Sequence, residues 1–398
     1  MTAIPSISTT IESSPKSSIP LATAMEELLA PVPAISSISS VVKRELAPKV
    51  KNIDLGEYPG SIMQQLGQAG AFQQAVSTEL GGAGICLKGA IQSIEEVSKV
   101  CLSTGFIAWC QIACTWYLQN TSNSALQQEL LPKVARGESL AGTGLSNPMK
   151  FFAGIEKIAL RAKRVEGGYV INGQLPWVSN LGPNHYFGVV ASLEEQDTES
   201  DSYLMAIASD ALDGMSLRRC GEFIALEGTG TFACVFRNVF IPDAWILASP
   251  CEAYVDQIRP GFILTQVGMG LGLVAGCIDL MKRYQKKLGH VNRFLDVQPQ
   301  DLEEELLQAR CHAYGIAEQL DSRPHGKISP ELLQEVVQAR LTAGQMSLKA
   351  ANAAMLHAGA RSYVKGSPEE RKLREAYFVA IVTPAIKQLK KMLYTLSA

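Results

Sequence analysis

The chain has 398 residues, 47% apolar and 19% charged, with a net charge of -2. That length can bury a large core over two or three domains, and the charge gives no electrostatic case for nucleic acid or an anionic membrane surface as partner. Nine cysteines, an odd number without Cys-x-x-Cys spacing, fit buried thiols in a reducing compartment rather than a disulfide framework or a metal site. No basic stretch leads into an apolar run at the start. No apolar run reaches the roughly 18 residues of a membrane helix. The expectation is a soluble, cytoplasmic protein.

Residues 1–22 are rich in Ser, Thr and Pro and lack periodicity, which predicts a disordered leader. Residues 23–140 read as an N-terminal α-helical domain. Met25-Glu26-Glu27-Leu28-Leu29 opens it, Ile62 to Leu66 continues it, and Gln92 to Ala113 reads as one long helix, apolar on most sides, with Trp109 and Trp116 following its period. The turn Gly81-Gly82-Ala83-Gly84 has no strand before it, so it is not a dinucleotide-binding turn.

From 141 to 250 the apolar period becomes two. Ile158 to Val165 and Tyr169-Val170-Ile171 form a hairpin across Glu166-Gly167-Gly168, and Phe187 to Ser192, Ser202 to Ser209 and Gly230 to Phe240 supply further strands. Short strands at this spacing predict a central β-barrel or sandwich domain. Residues 251–398 return to helical spacing as a C-terminal four-helix bundle: Leu264 to Tyr284, Gln300 to Leu320, Pro330 to Ala358 and Pro368 to Leu396. Gly268, Gly270, Gly272 and Gly276 weaken the first of these helices and predict a close crossing by another helix or by a ligand. The fold class is α+β and multidomain. The basic clusters Lys282-Arg283 with Lys286-Lys287, and Lys387 with Lys390-Lys391, read as solvated helix faces.

Several short motifs then occur in order. They are Gly56-Glu57-Tyr58-Pro59, Glu79 with Gly81-Gly82, Glu95-Glu96, Leu131-Pro132 through Gly137-Glu138, Ser146-Asn147-Pro148, Asn172-Gly173 with Trp177-Val178-Ser179-Asn180, and Val235-Phe236-Arg237-Asn238-Val239 with Ile241-Pro242. In this order and with these block lengths the chain resembles the acyl-CoA dehydrogenase superfamily. The resemblance implies a flavin, FAD with FMN as the alternative, held beside Leu145, Ser146, Trp177, Val178 and Ser179, with Ser179 at the flavin N5 and Trp177 against the ring. Plain core packing of Trp177, and turn or cap roles for the two serines, are the alternatives. Met355-Leu356-His357-Ala358-Gly359 stands where the family has Gln-x-x-Gly-Gly, which brings Ala358 and Gly359 to the cofactor. The resemblance also implies a homodimer or homotetramer, because in the family a neighbouring subunit completes the flavin site, and a small-molecule or thioester substrate.

The chain departs from that pattern at its chemistry. Met149-Lys150-Phe151-Phe152-Ala153 replaces a stretch whose serine touches a phosphate, and around Lys282 to His290 only Arg283 or a nearby lysine could substitute for the family's pyrophosphate arginine. The family's glutamate base falls on Thr383, in the frame from Arg374-Glu375-Ala376 to Ile381-Val382-Thr383-Pro384, and the alternative base position, Arg259-Pro260-Gly261-Phe262-Ile263, has no carboxylate. A threonine hydroxyl cannot take a carbon-bound proton near neutral pH. Loss of a general base typically lowers a rate about 10²- to 10⁴-fold. Two enzyme readings remain: a dehydrogenase of an acyl thioester or related apolar substrate with a displaced base, Glu375 or Glu370, or a flavin-dependent monooxygenase with Ser146, Gln111 and His357 as donors. For the two glutamates a solvated helix face is the alternative, and for His357 a satisfied core position. A flavin-free scaffold is the third reading, opposed by Trp177-Val178-Ser179-Asn180. The substrate pocket is expected between Gln92 to Trp116 and the C-terminal helices. No metal site is expected.

Overall fold

A computed structural model describes residues 21–194, 202–323 and 328–397. The expected leader lies outside these, except that Leu21 already begins a helix. Seven helices come first: α1 Leu21–Leu29, α2 Ala34–Val41, α3 Val50–Asp54, α4 Gly60–Gln68, α5 Leu87–Val100, α6 Leu102–Asn120 and α7 Leu131–Ala135. The single long helix expected over Gln92 to Ala113 is in fact two. Cys101 between α5 and α6 is extended, at φ -144° and ψ 112°.

The sheet follows, with strands β1 Ala141–Thr143, β2 Leu160–Val165, β3 Gly168–Val178, β4 Tyr186–Leu193, β5 Tyr203–Ser209, β6 Met215–Arg219, β7 Phe232–Pro242 and β8 Ile246–Ala248. Ser146-Asn147-Pro148, expected within the β block, opens a short helix instead, α8 Ser146–Phe151. Proline near the first helical position is preorganised for helix and lacks only an N–H that has no partner there. The strands form one eight-stranded sheet in the order β6-β7-β3-β2-β4-β5-β8, with β1 parallel to β4. The β2–β3 hairpin closes on Val165 opposite Gly168, and Gly167 takes the left-handed φ of 76° that the turn requires. Alternation along β4 and β5 separates two cores. Val189, Ala191, Leu204 and Ala206 join a cluster within the sheet, while Val190, Met205 and Ile207 join the helical core.

The C-terminal helices are α9 Glu252–Thr265, α10 Val267–Asn292, α11 Pro299–Asp321, α12 Pro330–Ala358, α13 Pro368–Ile381 and α14 Ile386–Leu396. Sequence periodicity merges α13 and α14 into one helix. Pro384, without an N–H and with steric pressure on Thr383, breaks them apart. The span Glu252–Asn292 is long and apolar enough to cross a membrane, yet its most apolar window is wholly buried in the protein. One apolar core takes residues from both helical blocks, from Ile38 to Val379.

The glycines of α10 explain how the blocks meet. A Cβ on Gly268 would lie 2.6 Å from the Ile91 carbonyl oxygen, on Gly272 2.3 Å from that of Glu95, and on Gly276 2.4 Å from that of Lys99. Both rows step by four, so α5 and α10 run side by side in the same direction at backbone contact. Gly270 meets Ala343 of α12 in the same way. The stripe therefore serves helix packing. Asp321, at the end of α11, accepts the Leu87 N–H at the start of α5, at 3.1 and 3.0 Å from its two oxygens.

Two predictions follow from this packing. Gly272→Ala should destabilise the protein by about 1–3 kcal/mol, whereas Gly289→Ala in the same helix, with open space at its Cβ, should stabilise it by roughly 0.5–1 kcal/mol; chemical denaturation measures both. Burial pushes the Asp321 carboxyl up to about 7 from an ordinary 3.8, against the lowering effect of the Leu87 N–H. The folded state thus holds the proton more tightly than the unfolded chain, so this group's contribution to stability falls as pH rises from about 4 to about 7. Thermal melts of Asp321→Asn at pH 5 and pH 8 should show a smaller difference than those of the parent.

Candidate functional site

The break between α13 and α14 is where sequence and geometry converge. The Thr383 Oγ1 lies 3.0 Å from the Ser146 Oγ at the start of α8, although 237 residues separate them in sequence. The Thr383 carbonyl accepts a hydrogen bond from Gln266 Nε2 at 3.0 Å, and Gln266 Oε1 accepts one from Arg340 Nε at 2.9 Å. Arg340 Nη2 donates to the Val379 carbonyl at 2.7 Å, an oxygen in the last turn of α13 that lacks a helical partner. Gln266 and Arg340 are both 0% exposed. The remaining guanidinium nitrogen, Nη1, is buried without a partner, and burial draws the Arg340 pKa down to about 10. No carboxylate neutralises Arg340 among the described residues.

Around Ser146 the structure gathers most of the expected cofactor residues. Leu145 and Val178 are fully buried, and Thr143, which precedes Leu145 by two, bridges to Ser179 across the sheet. Ser179 Oγ shares a hydrogen bond with Thr231 Oγ1 at 2.7 Å, and Thr231 with Thr229 at 2.8 Å. Trp177 remains 49% exposed, tilted against Phe223 with ring centroids 5.7 Å apart, and Ile224 beside Phe223 is exposed as well. Ala358 and Gly359 lie elsewhere, at the C-terminal end of α12. They are roughly 25 Å along that helix from Arg340 at 1.5 Å per residue.

The asparagines of the two motifs are structural. Asn180 is buried, donates to Ala141 O and Gln111 Oε1, and accepts from Tyr58 Oη. Asn147 ties α8 to Lys157 and Ala159. Gln111 spends its amide on the carbonyls of Val134 and Ser139 and its oxygen on the Ala141 N–H and Asn180. It is therefore not free to act as the donor expected of it. His357 bonds Val297 O through Nε2, again at the far end of α12.

The two glutamates considered as displaced bases are also held. Glu375 is 1% exposed and pairs with Arg371 at 2.6 Å and Lys372 at 3.0 Å. It accepts the Leu102 N–H that begins α6, while Lys372 and Arg371 donate to the Ser98 and Val100 carbonyls that end α5. Each charge thus sits at the helix end whose dipole it complements. Burial would raise the Glu375 carboxyl, but Arg371 and Lys372 hold it below the usual range. Glu370 is bound by Arg374, which also grips Asp54 and the Ile224 carbonyl. Neither glutamate faces Thr383.

In the region expected to hold the substrate, aromatic rings pack on one another. Phe106 and Phe378 meet edge-on at 4.6 Å, Trp109 and Phe262 at 5.0 Å, and Phe106 stacks on Trp109 at 5.8 Å. Trp109 Nε1 donates to Thr265 and Trp116 Nε1 to the Ile258 carbonyl, so both indoles are satisfied. Sequence reasoning missed Gln266 and Arg340. The signal for Arg340 was its phase: it falls on the apolar stripe of Val336, Ala343 and Ser347, where a solvated arginine has no place.

The architecture is that of a helical domain, a central sheet and a helical bundle, with the Ser146 and Thr383 hydroxyls paired where α8 meets the α13–α14 break. Comparison with known proteins shows what this architecture is similar to. The family model described as acyl-CoA dehydrogenase, N-terminal domain, matches residues 34–138. The mitochondrial isovaleryl-CoA dehydrogenase of Solanum tuberosum is 24% identical over 377 residues, covering 89% of this chain and 87% of that protein. The structure of butyryl-CoA dehydrogenase from Megasphaera elsdenii superposes with a TM-score of 0.79 at 18% identity, over 96% of this chain and 100% of that one. Dibenzothiophene monooxygenase from a Paenibacillus species superposes with a TM-score of 0.76 at 15% identity, over 91% and 96%. Residues 34–138 thus match the acyl-CoA dehydrogenase N-terminal domain, and the whole chain shares the fold of these enzymes.

If Glu375 is a cap rather than a base, Glu375→Gln should strand two buried cations and destabilise the protein by about 3–5 kcal/mol in denaturant unfolding. A variant as stable as its parent would return Glu375 to the candidate bases.

Proposed function

We propose that the chain is a flavin-dependent oxidoreductase, and that it works as a monooxygenase rather than as an acyl thioester dehydrogenase. The observation that carries this reading is the pair Ser146 Oγ and Thr383 Oγ1, 3.0 Å apart at the position where a dehydrogenase needs a carboxylate. The residues present fit a flavin. Trp177, with half its indole uncovered beside Phe223, offers a face for a ring system, and Ser146, Ser179 and Thr383 offer hydroxyls for its polar edge. FAD is the favoured form and FMN the alternative. A bound flavin supplies a hydride acceptor and, once reduced, reactivity toward oxygen.

The chain's own residues then divide the work. Ser146 and Thr383 can donate to an oxygen atom in the gap, and as hydroxyls they cannot remove a carbon-bound proton. Arg340, desolvated and joined to the Thr383 carbonyl through Gln266, biases the gap toward negative charge. The dehydrogenase reading keeps one support, the overall likeness to isovaleryl-CoA dehydrogenase.

Homodimer or homotetramer assembly completes the proposal. Ala358 and Gly359, at the far end of α12 from Arg340, would meet the flavin of a second protomer. Val291, Phe294, Leu356, Tyr363 and Val364 leave an exposed apolar surface next to them that a second protomer would cover.

The purified protein should take up FAD or FMN with a visible flavin spectrum. An acyl-CoA panel should not bleach that spectrum anaerobically, and oxygen uptake should need an external reductant. Rapid bleaching by an acyl-CoA would overturn the monooxygenase reading, and failure to bind either flavin would overturn the function as a whole. Thr383→Glu should confer measurable acyl-CoA dehydrogenation on a parent that lacks it. Sedimentation showing a monomer at full flavin occupancy would refute the assembly.

A further inference from the structure

A cavity of about 300 Å³ lies beside the α13–α14 break, between α8, α9, the start of α12 and α14. Pro384, next in chain to Thr383, forms part of its wall. Met149 and Ile263 close it from within, and Phe152, Leu333 and Leu396 continue the apolar lining. Two cations complete it, Arg259 from α9 and Lys391 from α14, and no carboxylate lines it. Lys391 Nζ touches only the carbonyls of Ala153 and Gly154, at 2.8 and 3.0 Å. Arg259 is paired through one nitrogen with the exposed Asp256, at 3.0 Å, while its Nε is buried without any partner. Sequence spacing predicts a solvated face for Lys390-Lys391. In the folded chain Lys391 is exposed as that spacing predicts, and its Nζ reaches over the cavity to the turn that follows α8.

A buried guanidinium N–H without an acceptor is a desolvated donor awaiting one. An apolar chamber with two cations and no acid in its lining is complementary to a molecule with an apolar body and one anionic end. An apolar ligand would leave the buried Arg259 Nε without an acceptor, whereas an anionic head would satisfy it and lie within reach of the exposed Lys391 ammonium. The volume sits at the small end of small-molecule sites, which run from roughly 300 to 1,000 Å³.

We infer that this cavity binds an amphipathic organic anion, with its apolar tail between Met149, Ile263 and Leu333 and its anionic head between Arg259 and Lys391. The inference goes beyond the proposed oxidoreductase reading and stands on different residues. The cavity adjoins the Ser146–Thr383 pair through Pro384, next in chain to Thr383, and through Met149, one helical turn along α8 from Ser146. Occupancy would therefore press on the segment that carries Thr383, which makes the cavity either the ligand's approach to the gap or a site that controls it.

Isothermal titration of the full-length protein with octanoate, octyl phosphate and octanamide tests the inference without turnover. At least one anion should bind tenfold or more tightly than neutral octanamide, and the tighter anion identifies a carboxylate or a phosphate head. Arg259→Gln should weaken that binding tenfold or more, and Lys391→Gln severalfold, in variants with an unchanged circular dichroism spectrum. Equal affinity for octanamide and both anions, no binding of any probe, or unchanged binding in the double variant would overturn the proposal. Flavin uptake measured in the same preparations separates the two readings. Anion binding by a protein that takes up no flavin would refute the oxidoreductase and leave this site standing.

Discussion

Arg340 is the constraint on which the candidate site depends. Its charge is wholly buried, and two neutral groups receive it, the Gln266 amide and the Val379 carbonyl, while Nη1 has no partner. Through Gln266 it fixes the Thr383 carbonyl, and through Val379 it ends α13. Removing a charge from water is expensive unless partners compensate, so these contacts bind strongly and are hard to exchange. The turn that presents Thr383 is thus held from behind by a cation, and the hydroxyl in front faces a region of positive potential. A carboxylate placed there would be stabilised in its charged form. The threonine that is there leaves that potential for a ligand.

Helices with clear punctuation were legible from the sequence. Pro330 to Ala358 is bounded by a proline at its first position and a glycine after its last, and both boundaries hold. Helices separated by a short break were not. Nothing apolar or polar distinguishes Cys101 from its neighbours, and α5 and α6 part there because their shared ends are satisfied by Glu375, Arg371 and Lys372, more than 270 residues away in sequence. Thr383-Pro384 did carry a local signal, since proline cannot continue a helix, but the long apolar period across Pro368 to Leu396 masked it.

The site shows the same division. Ser146, Trp177 and Ser179 could be named because they sit in motifs, and geometry gathers them with Thr143 and Thr231 at one end of the sheet. Their companions could not be found by motif. Gln266 is a polar residue between two helices, and Arg340 belongs to no motif, its only signal being its place on the buried face of α12. Glu375 misled for the converse reason. It lies close to Thr383 in sequence, but eight residues along α13 and its break carry it to another end of the bundle, where it serves helix termini.

The contact between α5 and α10 has a consequence for how the chain is made. Gly268, Gly272 and Gly276 let the backbones of the two helices touch, and the core they share extends from Ile38 to Val379. The N-terminal helices therefore cannot finish burying their apolar faces when their own residues emerge from the ribosome. They must wait until α10 has been synthesised, on the order of ten to thirty seconds later at typical translation rates. During that interval α5 and α6 expose apolar surface to the cell, which makes the nascent chain a natural client for chaperones that hold apolar helices.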